Sequence, residues 1–380
     1  MSVWYPFMTV LFAIFLVVHG LIHLMGAAKA FGVAEIPQLA QQISRPLGVL
    51  WLLAAGLLLV TAGALFTWPR WWWTVGAGAI VISQVAIATS WSDAKYGSIA
   101  NVIVLVGVVL GLLSQGPSSF RAEYEREVGQ SVGHASATPV LTEADIAHLP
   151  AAVQQYIRFT GSVGQPRVQN FRAGFHGKIR SGPDSRWMSF TGEQYNSYDQ
   201  PSRLFLMDAS MFGVPFQAFH RLVGPSATMR VKVASIVQVV DAKGPEMDES
   251  ETVTLFNDLC VFAPGALVDR GIQWQEIDPH TVSALFANAS HTIRAVLSFN
   301  DRSELVDFVS DDRSAASSDG KSFTRMRWST PLRNYRMFGS HRIMSEGECI
   351  WHAPGGKYAY LQFGLDSIEY NVAVAPRQQH

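Results

Sequence analysis

The chain has 380 residues and a formal net charge of −1, so its length allows two or three domains and its charge excludes a general attraction to nucleic acid. Only six Asp, Glu, Lys or Arg residues precede position 115, and all the others follow it. This asymmetry predicts an N-terminal membrane half and a C-terminal water-soluble half. The two cysteines, Cys260 and Cys349, can form at most one disulfide, and no Cys/His spacing typical of a metal site is present, so we predict no cofactor.

Four apolar runs occupy the membrane half, each close to the ~20 residues that a helix needs to cross the hydrocarbon core. They span roughly residues 8–27, 47–67, 72–91 and 98–115. Trp and Tyr residues flank the runs, as in the aromatic belts at membrane interfaces. The short connections favour an antiparallel four-helix bundle, so we assign residues 1–115 to a transmembrane domain.

The sequence leaves the orientation of this domain open. Three Lys or Arg residues flank the spans on each side, so neither side has the excess of positive charge that marks the cytoplasm. Four spans place the N-terminus and everything after residue 115 on the same side. Because the domain is expected to span a membrane, we predict membrane lipid as a partner. Our working hypothesis is a cell-membrane protein whose soluble half is extracytoplasmic.

Polar residues inside and beside these spans are the first candidate site. His19 and His23 are one helical turn apart, so both imidazoles point the same way. Several polar residues of the predicted helices and their connections lie at similar depths in the membrane. We therefore expect a polar cluster near one end of the bundle. Its members are His19, His23, Gln84, Asp93, Lys95 and Asn101.

Several roles remain open for the two histidines. A haem between them is disfavoured, because its two ligands must come from opposite faces. A metal bound by His19, His23 and a carboxylate is an alternative, and so is a proton path through both histidines and Asp93. The favoured interpretation is structural: a hydrogen bond between His19 and Gln84 would satisfy two groups that are costly in lipid. We therefore predict no resident metal.

Residues 116–140 are rich in Gly, Ser, Ala and charge, which predicts a helix end followed by a flexible linker. Residues 141–161 then predict a helical hairpin that begins with a capping box formed by Thr142 and Asp145. We assign residues 141–376 to a soluble domain.

The rest of that domain is predominantly β. About ten runs with a period of two, separated by turn signals, predict one large antiparallel sheet, either strongly curved as a half-barrel or closed. One helix interrupts the strands near residues 247–265, with Asp248 as its N-cap and Glu251 as the third residue of its first turn. The fold class is therefore a four-helix transmembrane bundle followed by an α+β domain on a large curved antiparallel sheet.

A half-barrel with a helix across it favours an apolar cavity. Among its many aromatic residues we expect Tyr195, Trp274 and Trp328 to contact a ligand. If the domain is instead an enzyme, Glu193, Asp311 and Arg333 are the candidate catalytic residues, because carboxylates beside a cationic group can perform acid–base chemistry.

Six motifs occur in order in the soluble half and together resemble an uncharacterised family of bacterial membrane-associated proteins. They are LPAAVQQYIRFTGSVGQPRV (149–168), FTGEQY (190–195), VVDAKGPEMD (239–248), IDPHT (277–281), DDRS (311–314) and GECIWHAPGGKYAYLQFGLDSIEYN (347–371). The resemblance covers roughly residues 140–375 and implies no activity. Members often have Trp-Phe-Pro after the central helix, where this chain has CVFAPG (260–265). The layout is also distantly similar to periplasmic lipoprotein carriers, a likeness of fold only.

These observations favour a membrane-anchored binding protein whose curved β domain holds a lipid or another apolar small molecule at the membrane surface. Two alternatives remain. One is a membrane-bound enzyme that acts on a lipid-like substrate. The other is a metal- or redox-linked membrane protein that uses His19 and His23.

Overall fold

A computed structural model describes residues 6–131, 138–211, 214–269 and 271–373. These residues divide into two compact units, which are described in turn. The first unit contains five helices, and the helix that follows them continues into the second unit. The helices are α1 Pro6–Ala30, α2 Arg45–Thr67, α3 Trp72–Thr89, α4 Trp91–Ala94, α5 Gly97–Gln115 and α6 Phe120–Ser131.

Four segments of the described chain are long and apolar enough to cross a membrane. They are Met8–Ala30, Arg45–Thr67, Trp72–Thr89 and Gly97–Ser131, so the prediction of four spanning helices is confirmed. Large apolar side chains such as Leu21, Val60 and Val106 are half exposed on the outside of the bundle, where lipid would cover them. The segment expected to be a helix end and a linker is helical as far as Ser131, which is longer than predicted.

Glycines allow large rings to enter the helix interfaces of this bundle. A Cβ added to Gly26 would lie 2.2 Å from the ring of Trp51, which is 3% exposed. A Cβ on Gly107 would lie 2.4 Å from the ring of Phe12. Close approach at small residues is the usual basis of helix association in lipid, where burial of apolar area gives no driving force.

Gly26→Ala is expected to destabilise the bundle by about 1–3 kcal/mol, because the ring of Trp51 has no room to retreat. The midpoint of thermal unfolding of the full-length protein measures this effect. Gly56→Ala is the matched control, because no atom lies within 4 Å of the added methyl group. An equal loss in the two variants would contradict the steric explanation.

The second unit contains a fourteen-stranded sheet and a separate two-stranded sheet. The sixteen strands are β1 Asn170–Ile179, β2 Met188–Ser197, β3 Ser202–Met211, β4 Val214–Val223, β5 Ser226–Val233, β6 Val237–Lys243, β7 Gln273–Asp278, β8 Thr281–Asn288, β9 His291–Phe299, β10 Leu305–Ser310, β11 Ser314–Ala316, β12 Phe323–Arg325, β13 Arg327–Ser329, β14 Leu332–Phe338, β15 His341–Ala353 and β16 Gly356–Tyr370. The main sheet has the order β6-β5-β4-β3-β2-β1-β16-β15-β13-β10-β9-β8-β7, and β14 pairs with β15.

This sheet is antiparallel and remains open between β6 and β7, as expected for a half-barrel. Its curvature brings distant strand ends together: the amide of Asn288, the last residue of β8, donates a 3.0 Å hydrogen bond to the carbonyl of Gly224, after β4. The separate sheet of β11 and β12 packs beside this point, where Phe323 joins Leu222 and Ala242. The prediction of a large curved antiparallel sheet is confirmed.

Three helices accompany the sheet: α7 Glu143–Ile146, α8 Ala151–Phe159 and α9 Pro245–Phe262. The capping box of Thr142 and Asp145 forms at the start of α7 as predicted. The predicted N-cap of α9 is wrong. Gly244 takes this position and Pro245 begins the helix, because proline suits the first turn, where no backbone N–H is needed. Asp248 instead accepts a 2.6 Å hydrogen bond from the backbone of Ala227.

Candidate functional site

Helix α9 lies against the concave face of the sheet and is enclosed by it. Every residue of α9 from Ser250 to Phe262 is buried. A helix buried on all sides is normally apolar on all sides. This one has polar side chains at Glu251, Thr254 and Asp258, which are three and four residues apart and therefore share one face.

That polar face of α9 borders a cavity of about 110 Å³ between the helix and the sheet, which we call the α9 cavity. The strands contribute alternate residues, as the period of a pleated strand requires: Arg203, Phe205 and Met207 all point inward from β3. The apolar part of the wall is rich in aromatic side chains. It consists of Phe175, Ile179, Phe190, Phe205, Met207, Phe262, Trp328, Leu361 and Phe363.

A buried charged network forms the polar side of the α9 cavity, with Arg203 at its centre. Its guanidinium donates a 3.0 Å hydrogen bond to Glu251 and a 2.6 Å hydrogen bond to Asp258. The side chains of Arg203, Glu251 and Asp258 are 8%, 1% and 5% exposed. Buried charges are stable only when they are paired and hydrogen-bonded, so these three residues require one another.

Neutral side chains complete this network. Gln194 and Asn196, on β2, donate hydrogen bonds of 2.7 Å and 3.2 Å to Asp258. His220, on β4, lies 3.1 Å from the second oxygen of Glu251. The charged network is therefore Arg203, Glu251, Asp258, His220, Gln194 and Asn196, and it connects α9 to three adjacent strands.

The two buried carboxyl groups respond differently to this environment. Burial alone would raise the pKa of Glu251, but the nearby cations Arg203 and Arg313 and the hydrogen bond with His220 outweigh it and hold the pKa at about 2. Burial raises the pKa of Asp258, and the opposing attraction of Arg203 does not fully cancel this effect. Glu251 is thus firmly ionised at neutral pH.

A second arginine, Arg313, lines the opposite part of the α9 cavity and is 8% exposed. It donates a 2.9 Å hydrogen bond to the phenol oxygen of Tyr360, and its guanidinium carbon lies 4.3 Å from the ring centroid of Trp328. Burial raises the pKa of Tyr360 to about 12, so the phenol is neutral. Among the described residues, no carboxylate forms an ion pair with Arg313.

The structure places one of the three expected ligand-contacting residues, Trp328, in the lining of the α9 cavity. Tyr195 is fully buried but follows Gln194 on β2, so it points to the opposite face of the sheet. Trp274 packs with its ring centroid 6.4 Å from that of Phe256, outside the cavity lining. Tyr195 and Trp274 therefore lie outside the lining of the α9 cavity.

The three candidate catalytic residues are in separate ion pairs outside the cavity lining. Glu193 accepts a 3.0 Å hydrogen bond from Arg172 on the face of β2 opposite Gln194. Asp311 is exposed and accepts two hydrogen bonds, of 2.8 Å and 3.0 Å, from Arg327. Arg333 is exposed and pairs with carboxylates of β15, Glu346 and Glu348. The structure does not bring these residues together into one catalytic group.

Sequence reasoning missed the charged network and placed Arg313 only within the DDRS motif (311–314). A signal existed for the network. Arg203 lies in SRLFLMDASM (202–211), where the other inward positions are apolar, and Asp258 lies in the run LFNDLCVF (255–262), where only Asn257 and Asp258 are polar. A charge at a position that the period assigns to the core marks a buried pair.

The polar residues of the bundle form a second candidate site, centred on Asn101. Its side-chain oxygen lies 3.0 Å from Nε2 of His19 and accepts a 2.8 Å hydrogen bond from Ser83. Its amide nitrogen donates a 2.9 Å hydrogen bond to Gln84, so Asn101 connects His19 to Gln84 in place of the direct bond predicted. His23 lies 2.8 Å from the hydroxyl of Ser83.

The other two residues of the predicted polar cluster make different contacts. Asp93 is partly exposed and accepts a 2.7 Å hydrogen bond from the backbone of Gln41. The ammonium of Lys95 lies 5.4 Å from the ring centroid of Tyr96. Within the part of the chain that the structure describes, no group of three or more His, Cys, Asp or Glu side chains is arranged to hold a metal ion.

Residues 139–363 match the model of a family of unknown function, DUF6544, and the chain belongs to this family. This confirms the resemblance to an uncharacterised family. Among solved structures, a DUF1329 family protein from Desulfovibrio piger is 10% identical, with 59% of this chain and 94% of that chain covered and a TM-score of 0.27. No curated protein matches the chain.

Glu251→Gln is expected to destabilise the protein by about 3–5 kcal/mol, because it removes a charge that neutralises the buried Arg203. The folded-state pKa of Glu251 is about 2 and its ordinary value is 4.5. The carboxylate therefore contributes its full stability above about pH 4.5 and loses it as the pH falls towards 2. Thermal unfolding midpoints of the two proteins should differ most near neutral pH and converge in acid.

The control for this experiment is Glu246→Gln, an exposed residue in the first turn of the same helix. It should change the free energy of unfolding by less than about 1 kcal/mol, through the helix dipole alone. A difference between wild type and Glu251→Gln that stays constant from pH 7 to pH 3 would contradict the assigned ion pair.

Proposed function

We propose that this chain is a membrane-anchored binding protein whose β domain holds a lipid or another predominantly apolar small molecule in the α9 cavity. The observation that carries the proposal is the α9 cavity itself. Aromatic side chains and a buried charged network line the same cavity within one concave sheet. Sites for small molecules typically combine an apolar lining with a few fixed polar groups in this way.

The chemistry of the cavity wall supports binding in preference to nucleophilic catalysis. Cys349 lines the cavity, but burial raises the pKa of its thiol to about 12, so it is protonated and a weak nucleophile. Arg203 and Glu251 are held by fixed hydrogen bonds to each other. Groups fixed in this way orient a ligand and do not exchange protons readily near neutral pH.

The four apolar helices supply the membrane part of the proposal. A binding domain attached to a bilayer meets lipid-like ligands at high local concentration, and we propose that it lies on the extracytoplasmic side. A cysteine introduced at the exposed residue Asp301 tests this location. In intact cells, a membrane-impermeant maleimide should label it if the domain is extracytoplasmic. Labelling only after the cells are lysed would place the domain in the cytoplasm.

The binding proposal is tested by mass spectrometry of solvent extracts from the full-length protein purified out of its native membranes. Wild-type protein should contain one apolar molecule per chain that is absent from Leu361→Trp, because the larger ring fills the α9 cavity. Val239→Trp is the control, since this residue is exposed on β6 and outside the cavity lining. Lipid bound around the helices should be equal in all three proteins.

Identical extracts from wild type and Leu361→Trp, with both proteins folded by circular dichroism, would contradict a ligand in the α9 cavity.

A further inference from the structure

Three residues that line the α9 cavity each have a buried polar atom with no hydrogen-bond partner among the residues that the structure describes. The atoms are Nε of Arg313, the hydroxyl of Thr330 and the amide oxygen of Asn257. These residues are 8%, 0% and 5% exposed. Buried polar atoms in folded proteins nearly always have partners, so three exceptions along one cavity indicate a missing polar group.

The two buried arginines of the cavity differ in their partners. Arg203 has two carboxylates in direct contact. Among the described residues, the guanidinium of Arg313 contacts the neutral phenol of Tyr360 and the faces of Trp328 and Trp351. The charge of Glu251 acts on it from beyond ion-pair distance. A buried guanidinium without a directly contacting anion is costly, and an anion within the cavity would remove that cost.

Because the proposed function places an amphipathic molecule in the α9 cavity, we propose that this molecule is a medium-chain carboxylate whose head group binds Arg313 and Thr330. The carboxylate accepts hydrogen bonds from Nε of Arg313 and from the hydroxyl of Thr330. The amide of Asn257, turned by 180°, can add an N–H donor. The acyl chain then lies along the aromatic wall, against Phe190 and Phe205.

A carboxylate fits these donors better than a phosphate monoester does. A phosphate monoester carries a charge of about −1.5 to −2 and three oxygens that each require donors. Among the buried atoms of the described lining residues, one guanidinium nitrogen and one hydroxyl are donors without partners, which match a single charge on two oxygens. The size of the site agrees: a water needs roughly 10–15 Å³, so 110 Å³ holds roughly seven to eleven water-sized groups, a range that includes the ten non-hydrogen atoms of octanoate.

Isothermal titration calorimetry of the full-length protein in lipid nanodiscs tests this inference, with titrations of empty nanodiscs subtracted. Octanoate and 1-octanol are the two probes, because they have the same chain length and differ in charge. We expect octanoate to bind once per chain and at least about tenfold more tightly than octanol, since a charge-assisted hydrogen bond distinguishes them. Leu361→Trp should abolish binding of both probes.

In Arg313→Gln, octanoate should no longer bind more tightly than octanol. The affinity for octanol should stay within about twofold of the wild-type value. Arg333→Gln is the matched control, because it removes the same charge from an exposed arginine that has two carboxylate partners. It should retain the octanoate preference. Thr330→Val keeps the shape of the side chain and should lower the affinity for octanoate by about threefold. It serves as a second variant if Arg313→Gln does not fold.

Equal affinity of wild type for octanoate and octanol, with both abolished by Leu361→Trp, would overturn the carboxylate assignment and leave the proposed apolar binding function intact. An unchanged octanoate preference in Arg313→Gln would also overturn it. Binding of neither probe, together with no ligand in the extracts of wild type, would contradict the proposed function itself.

Discussion

The β domain depends on the ion pairs that allow α9 to be buried. A helix enclosed by a sheet is stabilised by its apolar residues, but Glu251 and Asp258 would each cost several kcal/mol in that position if they were unpaired. Arg203 contacts both carboxylates. One guanidinium on β3 therefore holds both carboxylates of the helix against the sheet.

This arrangement also explains why a cavity remains beside α9. The polar face of the helix meets the charged network on one side, where hydrogen bonds set the separation between helix and strands. Large aromatic residues such as Phe175 and Phe262, whose ring centroids lie 5.4 Å apart, form the other side. Planar rings and fixed polar groups do not collapse onto each other as aliphatic side chains do, so a space persists between them.

Much of this architecture is encoded locally and could be predicted. Spanning helices are long apolar runs, so they were found within a few residues. Strands alternate with a period of two, but about ten were expected where the described residues form sixteen. The site was harder, because it depends on which face of a strand points inward. Glu193 and Tyr195 were assigned to a cavity, but the inward residue of that strand is Gln194. A shift of one residue exchanges the two faces, and sequence alone left the register open. Glu251 was interpreted as a capping residue for a similar reason: its partner Arg203 is 48 positions away.

Unpartnered polar atoms carry different meanings in the two units. In the bundle, Nδ1 of His23 and Nε1 of Trp51 also have no partner among the described residues, but their rings pack against each other with centroids 5.0 Å apart. Asn101 meanwhile gives His19 and Ser83 a shared acceptor. Around Arg313 the unpartnered atoms belong to residues that line the α9 cavity, and one of these atoms belongs to a permanent charge. A neutral buried polar atom without a hydrogen-bond partner destabilises the folded state by about 1–3 kcal/mol, and a buried ion without a counter-ion destabilises it more. The unpaired charge of Arg313 is therefore a stronger indication of a ligand than the neutral atoms in the bundle.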